Sequence, residues 1–331
     1  KPLTVRRTRT DIENVARYNK DINGFPKVER PIENRYELNE RLANLFESAM
    51  ETLDKKLSYA RYQAIAYLKP EAANGLYDNA ELISRSLAGI RKNGLVKRLE
   101  SSFYAFQISL NNFRQANQNM IDMFNRDKVF IAPDLDINNL LEAGLSDEEI
   151  EEKLNAKAEE NPKNSVFKAD DFDPEYIELL QQDQEILEKL YKDWEGITDE
   201  DDSKFAKFNE LLKHELFKVE RNLEQKLVVF SESVDTVKYL ERRINRKDVL
   251  VISADNRSKL FKTIRENFDA NYKTKLNKYN IILTTDVLAE GVNLHRANVI
   301  VNYDTPWNST RLMQRIGRVN RIGSSSKHIY N

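Results

Sequence analysis

The C-terminal third of the chain alternates short, almost purely apolar segments with segments of helical periodicity, and this alternation constrains its fold most strongly. The four apolar segments are rich in Val and Ile: KLVVFS (226–231), DVLVIS (248–253), IILTT (281–285) and NVIVNY (298–303). Segments of this length and composition are typical of strands buried on both faces. Apolar residues at helical spacing lie between them at 232–246 and 257–268. Strand–helix–strand repeats of this kind predict a parallel sheet flanked by helices, an α/β fold.

Residues 37–133 follow a different pattern, because they are poor in glycine and place apolar residues at a period of 3.6 over long stretches. This pattern predicts packed helices with an aromatic-rich core. We therefore expect an α/β fold with a long all-helical insertion. The predicted parts are an N-terminal segment (1–36), a helical insertion (37–218) and the α/β domain (219–331).

The net charge of −2 conceals a strong segregation of charge along the chain. Residues 134–202 contain 24 Asp and Glu against 6 Lys, whereas the remainder contains 46 Lys and Arg against 30 Asp and Glu. An anionic partner such as nucleic acid is therefore expected on the basic part. We expect the acidic segment to face away from nucleic acid or to bind a basic protein.

Several classes of function are disfavoured by composition. The chain has no cysteine and only three widely spaced histidines, so we expect no metal site built from thiolates or imidazoles. No apolar run is long enough to cross a membrane and no signal peptide opens the chain, so we expect a cytoplasmic protein without a membrane partner. Because the chain starts at Lys1 rather than Met, we also expect it to be a piece of a longer protein.

The sequence QRIGRVNRIG (314–323) places Arg315, Arg318 and Arg321 within seven residues, a crowding of cations that anions would relieve. Thr305 as N-cap and Pro306 at the first helical position predict a helix that starts just upstream. On that helix, Gln314, Arg318 and Arg321 would share one face. This face could bind an anionic ligand, and an ordinary ion-pairing surface is the alternative.

A second candidate site follows the third apolar segment, where LTTDVLAEGVNL (283–294) begins with Thr284, Thr285 and Asp286. In parallel α/β sheets, ligands bind beyond the carboxyl ends of the strands. Hydroxyl and backbone N–H groups there can bind phosphates, and Gly291 would allow close approach of the backbone.

KLVVFSESVDTVKYL, IILTTDVLAEGVNL and NVIVNYDTPWNSTRLMQRIGRVNRIG resemble, in order and spacing, the last conserved motifs of superfamily 2 helicases. The resemblance is closest to Swi/Snf-like DNA translocases, and among them to the bacterial RNA-polymerase-recycling type. VRRTRTDI (5–12) is similar to the segment that opens the second motor lobe of that group. One departure is Gly317, which stands where many Swi/Snf members have an acidic residue.

The resemblance implies a RecA-like lobe of an ATP-driven motor on nucleic acid, specifically double-stranded DNA, in which a first lobe binds most of the ATP and Mg²⁺. It implies that the arginine fingers, which are the catalytic residues, are Arg318 and Arg321. It implies nucleotide contacts at Gln314, Gly291, Glu290 and Asn293. It implies contacts to the phosphate backbone of the tracked strand at Ser231, Thr284 and Thr285. Fingers of this kind increase the rate of phosphoryl transfer about 10³- to 10⁵-fold.

A Walker loop is not apparent in the sequence. The nearest match to G-x-x-x-x-G-K-[ST] is GIRKNGLV (89–96), where Leu95 occupies the lysine position. We therefore expect the chain by itself not to hydrolyse ATP at a useful rate. Two alternatives remain open: an RNA or single-strand helicase lobe, and a non-catalytic helicase-like scaffold that binds protein.

Overall fold

The computed structural model describes residues 25–73, 80–131, 165–289 and 291–331, and the chain divides into two units. The division assigns 1–36 and 204–331 to one unit, here the sheet unit, and 37–203 to the other, the helical unit. The strands are β1 (Lys27–Val28), β2 (Val129–Ile131), β3 (Ser165–Phe167), β4 (Leu227–Phe230), β5 (Val249–Ile252), β6 (Ile281–Thr284), β7 (Val299–Asn302) and β8 (His328–Ile329). The α-helices longer than one turn are α1 (Glu40–Glu51), α2 (Ala80–Ser101), α3 (Phe103–Asn125), α4 (Pro174–Glu195), α5 (Ser203–His214), α6 (Val234–Ile244), α7 (Arg257–Phe268) and α8 (Ser309–Val319).

The sheet unit is built on four parallel strands in the order β5-β6-β4-β7, which confirms the predicted α/β fold. Each strand lies within one of the apolar segments recognised in the sequence. Every residue of β4 and β6, the two central strands, is buried. Helix α6 connects β4 to β5, and α7 connects β5 to β6. The continuous apolar runs therefore reflect strands that are covered on both faces.

The edge of the sheet beyond β7 joins the two ends of this unit. Tyr330 forms a parallel bridge with Val299, and β8 pairs in parallel with β1. The Nδ1 of His328 lies 2.6 Å from the Oε1 of Glu29. This carboxylate also contacts Lys27, and the two contacts lower the pKa of Glu29. The first described residues are thereby fixed to the last strand.

Helix α5 belongs to the sheet unit, whereas the sequence analysis assigned it to the helical insertion. The ring of Phe205 packs edge-on against Tyr239 at 5.7 Å, and that of Phe208 against Tyr303 at 5.5 Å. Both partners belong to the sheet unit, in α6 and after β7. These contacts place the division between the units at 203/204 instead of the predicted 218/219.

The helical unit has an aromatic core between α1, α2, α3 and α4. Trp194 is fully buried, with ring centroids 5.2 Å from Phe103 and 4.9 Å from Phe106. Asp183 on α4 is also buried and accepts hydrogen bonds from the backbone N–H groups of Ser58 and Ala60. The helices predicted from periodicity therefore form a core of their own, and α4 runs through it.

The helical unit is not all-helical, which corrects the prediction from sequence. Strands β2 and β3 pair as a short antiparallel ladder, with Phe130 opposite Val166. Two three-residue strands rich in aromatic and β-branched residues are too short to show a period in the sequence. The Walker-like segment 89–96 lies inside α2, so its backbone is helical and does not form a phosphate-binding loop. In the described part of the chain, no helix is long and apolar enough to span a bilayer.

Candidate functional site

Helix α8 begins at Ser309, three residues after the start predicted from sequence. Asn308 is its N-cap and accepts a hydrogen bond of 2.8 Å from the N–H of Thr310. The predicted N-cap Thr305 and the predicted first residue Pro306 lie in the loop that precedes the helix. Because asparagine ranks above threonine as an N-cap, the side chain of Asn308 sets the helix start.

The helix ends at Val319 with Asn320 as its C-cap, so Arg321 lies beyond it. The prediction that Gln314, Arg318 and Arg321 share one helical face is therefore wrong for Arg321. Gly323 follows with a φ of 82°, in the left-handed region, and the chain turns there. Arg321, two residues before this turn, lines the same cleft as the helical residues.

The cleft beside α8 has a volume of about 670 Å³. The lining residues that the sequence singled out are Asn293, Gln314, Gly317, Arg318 and Arg321. The other lining residues are Phe25, His295, Thr310, Met313, Asn320 and Ile322. The structure thus brings both predicted arginine fingers together with two of the four predicted nucleotide contacts.

The cleft combines cationic and amide groups. Two guanidinium groups and three carboxamides line it, and no carboxylate does so among the residues that the structure describes. The Nε of Arg321 and the Oδ1 of Asn320 are buried without a hydrogen-bond partner in the described residues. Buried polar atoms are usually hydrogen-bonded. This lining suits an anionic ligand that also offers hydroxyl groups, such as a nucleotide.

Of the other two predicted nucleotide contacts, Gly291 lies outside the cleft lining and Glu290 falls outside the described residues. Gly291 has a φ of 78°, and a Cβ at this position would collide with the guanidinium of Arg257. The glycine is therefore favoured by its backbone conformation, whereas the flexible end of the Arg257 side chain could move aside.

A second cluster of polar groups lies at the carboxyl ends of the central strands. Arg315 is fully buried; its Nε donates to Asp286 at 2.6 Å and its Nη1 donates to Asn302 at 3.0 Å. The carboxylate of Asp304 accepts hydrogen bonds of 2.6 Å from the hydroxyl of Ser231 and from the N–H of Glu232. These bonds join α8 to the loops that follow β4, β6 and β7.

The three residues predicted to contact a nucleic-acid backbone differ in exposure. Ser231 and Thr284 are fully buried, and the hydroxyl of Thr284 lies 3.2 Å from the carbonyl oxygen of Ile252, to which it donates. Thr285 is partly exposed. In this structure the hydroxyls of Ser231 and Thr284 are thus used inside the protein, which does not fit a direct contact with nucleic acid. Thr285 alone has a side chain at the surface.

Arg315 is the main residue that sequence reasoning left without a role. It lies three residues after Leu312 and four before Val319, on the apolar stripe that α8 buries. An arginine on such a stripe must be paired inside the protein, because an isolated buried charge is costly. The position of Arg315 on the apolar stripe is the sequence feature that could have indicated its burial. His295 and Asn320 were also missed, and both line the cleft.

Comparison with known proteins identifies the segment that contains this site. Residues 203–323 match the family model "Helicase conserved C-terminal domain". This segment is therefore similar to helicase C-terminal domains. It comprises α5, the four-stranded sheet and α8, and the resemblance to superfamily 2 helicases inferred from the motifs is confirmed at this level.

Individual relatives match the chain over a limited length. The uncharacterized ATP-dependent helicase YqhH of Bacillus subtilis is 31% identical over 117 residues, which cover 34% of this chain and 19% of that protein. The probable ATP-dependent RNA helicase ddx51 of Dictyostelium discoideum is 30% identical over 103 residues, which cover 30% and 18%. The chain thus covers less than a fifth of either relative.

Among solved structures, the C-terminal part of the Fun30 ATPase domain matches with a TM-score of 0.39 and 15% identity, over 92% of this chain and 85% of that one. The Pyrococcus furiosus Hef helicase domain matches with a TM-score of 0.35 and 16% identity, over 96% and 57%.

Proposed function

We propose that the chain is the C-terminal motor lobe of an ATP-dependent, Swi/Snf-like translocase on double-stranded DNA. The observation that supports this most directly is the cleft in which Arg318, Arg321, Gln314 and Asn293 meet. In this proposal the two arginines reach the phosphates of an ATP that a first motor lobe also holds. None of the described lining residues is Asp or Glu, and this absence of negative charge favours a polyanionic ligand.

The residues of the cleft differ in the ligand groups that they can bind. A guanidinium is planar and can donate two parallel hydrogen bonds to phosphate oxygens, so Arg318 and Arg321 would stabilise charge on the phosphoryl group. Asn293 and Gln314 can donate and accept, which suits ribose hydroxyls. Bound ATP supplies the transferable phosphoryl group, and Mg²⁺ neutralises part of its charge. The nearest match to a Walker loop, residues 89–96, is helical and has Leu95 in place of the phosphate-binding lysine. In this proposal, ATP turnover therefore requires the other lobe.

The proposed track is nucleic acid held through its phosphates. The sequence outside 134–202 has an excess of 16 positive charges, which favours an anionic partner without regard to base sequence. In this proposal Thr285, which is partly exposed at the carboxyl end of β6, contacts the phosphate backbone. Contacts restricted to the backbone suit a motor that must move along any sequence.

The names of the relatives favour a second track. ddx51 of Dictyostelium discoideum and ROK1 of Saccharomyces cerevisiae are named as ATP-dependent RNA helicases. An RNA helicase lobe with the same arginine fingers is therefore the competing proposal. A non-catalytic scaffold is the third, since an arginine-rich cleft can also bind without turnover.

The test is ATP hydrolysis by the complete protein, with duplex DNA, duplex RNA or single-stranded RNA added. Arg318→Ala should lower the stimulated rate by about 10³-fold or more, and Arg318→Lys should restore little of it because the planar fork is lost. The matched control is Arg242→Ala, which removes an exposed arginine from α6. Stimulation mainly by duplex DNA supports the translocase, and stimulation mainly by RNA supports the alternative. Turnover that is absent, or equal in wild type and Arg318→Ala, rejects the motor and leaves the scaffold.

A further inference from the structure

His295 lies directly beneath the cleft without the hydrogen bonds that a buried imidazole normally makes. It is 1% exposed, and neither ring nitrogen has a hydrogen-bond partner among the described residues. The nearest carboxylate oxygen is the Oδ1 of Asp269, 3.8 Å from Nδ1, which is beyond hydrogen-bond distance. A core histidine fixed in one state would be expected to pair at least one nitrogen.

The charges around the ring come from three parts of the sheet unit. Asp269, which follows α7, favours the protonated ring, whereas Arg321 in the cleft and Lys275 in the loop after α7 oppose it. Arg265 on α7 contacts the other oxygen of Asp269 at 3.5 Å and competes for that carboxylate. Burial is the largest influence and lowers the pKa of His295; Asp269 raises it, and Arg321 and Lys275 lower it. The charge of Arg321 therefore disfavours the protonated ring.

An anion bound at Arg321 would change this balance. Its negative charge cancels the field of Arg321 at the ring, so that the repulsion falls while Asp269 remains. The protonated ring then has a carboxylate acceptor within about 1 Å of hydrogen-bond distance. We propose that His295 takes up a proton when a phosphoryl anion binds at Arg321, and that it thereby adds a third positive charge beneath the cleft.

His295 is a positioning residue in this scheme, since its buried ring acts on the bound anion through Arg321 and Asp269. Asn320 lies in the same cleft wall with its Oδ1 buried and unpaired among the described residues. The linkage is reciprocal: if the anion raises the proton affinity of the ring, the proton raises the affinity for the anion by the same factor. Anion affinity therefore falls as pH rises. The inference rests on the proposed function, because it assumes that phosphate groups bind at the arginines.

The first experiment is an NMR titration of the histidine Cε1–H signals of the 331-residue chain. The chain has three histidines, so His295→Gln assigns the signal in question. Sulfate is the main probe, because it remains a dianion throughout the range and its own ionisation does not interfere; ATP with Mg²⁺ is the second. We expect either probe to move the titration midpoint of His295 upward by about half a unit to one unit. A one-unit shift corresponds to about tenfold stronger binding at low than at high pH.

The controls separate a proton-linked role from a structural one. His295→Gln should bind sulfate with the same affinity at about pH 5 and about pH 8, where histidine titrates. Asp269→Asn should keep the ring but lose most of the upward shift. An effect of ATP but not of sulfate would mean that the rest of the nucleotide seats the phosphate, which still supports the proposal. A His295 midpoint that neither probe moves would overturn it and make His295 a core residue.

Failure of this inference is distinguishable from failure of the proposed function. If Arg318→Ala abolishes ATP turnover in the complete protein but His295→Gln retains the pH dependence of wild type, the motor stands and the proton linkage is rejected. If Arg318→Ala has no effect on turnover, the motor itself is rejected, whatever His295 does.

Discussion

The Nε of Arg315 donates a hydrogen bond of 2.6 Å to the Oδ1 of Asp286. The two residues are 29 positions apart in sequence, and strand β7 lies between them. Arg315 belongs to α8, which also provides Gln314 and Arg318 to the cleft. Asp286 follows β6 and is the neighbour of Thr285, the partly exposed candidate for a backbone contact. This ion pair therefore joins the helix that lines the proposed nucleotide cleft to the loop of Thr285, the proposed nucleic-acid contact.

The first prediction concerns this pair. Arg315→Met should destabilise the sheet unit by about 3–5 kcal/mol, because removal of one partner leaves Asp286 without its closest counter-ion. The loss is measured by urea unfolding followed by circular dichroism, with hydrogen exchange at β4 and β6 to locate it.

The matched control is Arg311→Met on the same helix. Arg311 is 30% exposed at its side chain and lies 3.6 Å from the other oxygen of Asp286, so its loss should cost about 1 kcal/mol or less. Equal losses of unfolding free energy in the two variants would show that the buried Arg315 stabilises the protein no more than the partly exposed Arg311 does. The double variant Arg315→Met with Asp286→Leu should recover part of the stability, since neither charge is then left unpaired.

The second prediction separates Thr284 from Thr285. Thr285→Ala should weaken binding of duplex DNA by a similar factor for all sequences, because a backbone contact carries no sequence information. Thr284→Ala should leave DNA affinity nearly unchanged and lower the free energy of unfolding by about 1 kcal/mol, since it removes a buried hydrogen bond. Fluorescence anisotropy and urea unfolding on the same preparations decide between them. The reverse pattern would show that the strand end opens to admit the nucleic acid.

The sheet could be predicted because its signal is local. Helix α7 has the bounds 257–268 that its sequence periodicity indicated, and each parallel strand lies within one residue of the ends of its apolar segment. A continuous apolar run specifies burial on both faces, whatever the rest of the chain does. The helical stripes of 37–133 were recognisable for the same reason.

The site was less predictable, because it depends on contacts between distant residues. Helical spacing separates Arg315, on the apolar stripe, from Arg318, but only the fold shows that the first pairs with Asp286 and that the second lines the cleft. Similarly, nothing in the sequence near Ser231 indicates that Asp304, 73 residues away, accepts a hydrogen bond from its hydroxyl. Such pairs form only when the strand ends meet.

The third prediction concerns the pH dependence of stability. Lys226 is fully buried, and its Nζ donates to the carbonyl oxygen of Tyr279 at 2.6 Å. Burial, aided by repulsion from Arg296, lowers the pKa of Lys226 to about 8. An unfolded lysine titrates near about 10.4. Between these values the unfolded state binds more protons, so the contribution of Lys226 to the free energy of unfolding increases with pH.

The measurement compares wild type with Lys226→Met, which is uncharged at every pH. Between about pH 7 and about pH 10, wild type should gain roughly 1–3 kcal/mol relative to the variant. Lys238→Met, at a lysine whose side chain is 66% exposed, is the control and should show no such trend. A constant difference between wild type and Lys226→Met would mean that Lys226 keeps an ordinary proton affinity inside the protein.

The last prediction concerns the acidic part of the helical unit. Deletion of 134–202 is not a clean test of its role, because α4 runs through the core and includes the fully buried Leu187 and Trp194. Neutralisation of exposed charges keeps that core. Because negative charge repels the phosphates of DNA, the triple variant Glu178→Gln, Glu185→Gln and Glu195→Gln should bind duplex DNA as tightly as wild type or more tightly.

The comparison is made at low salt, where charge effects are largest, and repeated at higher salt, where they should shrink. Unfolding curves of both proteins confirm that the helical unit is intact, since all three positions are exposed. A basic protein that binds this face would lose affinity for the triple variant, while DNA binding would be maintained. A clear loss of DNA affinity in the folded variant would show that these carboxylates take part in binding DNA. It would reject the expectation that the acidic segment 134–202 does not bind nucleic acid.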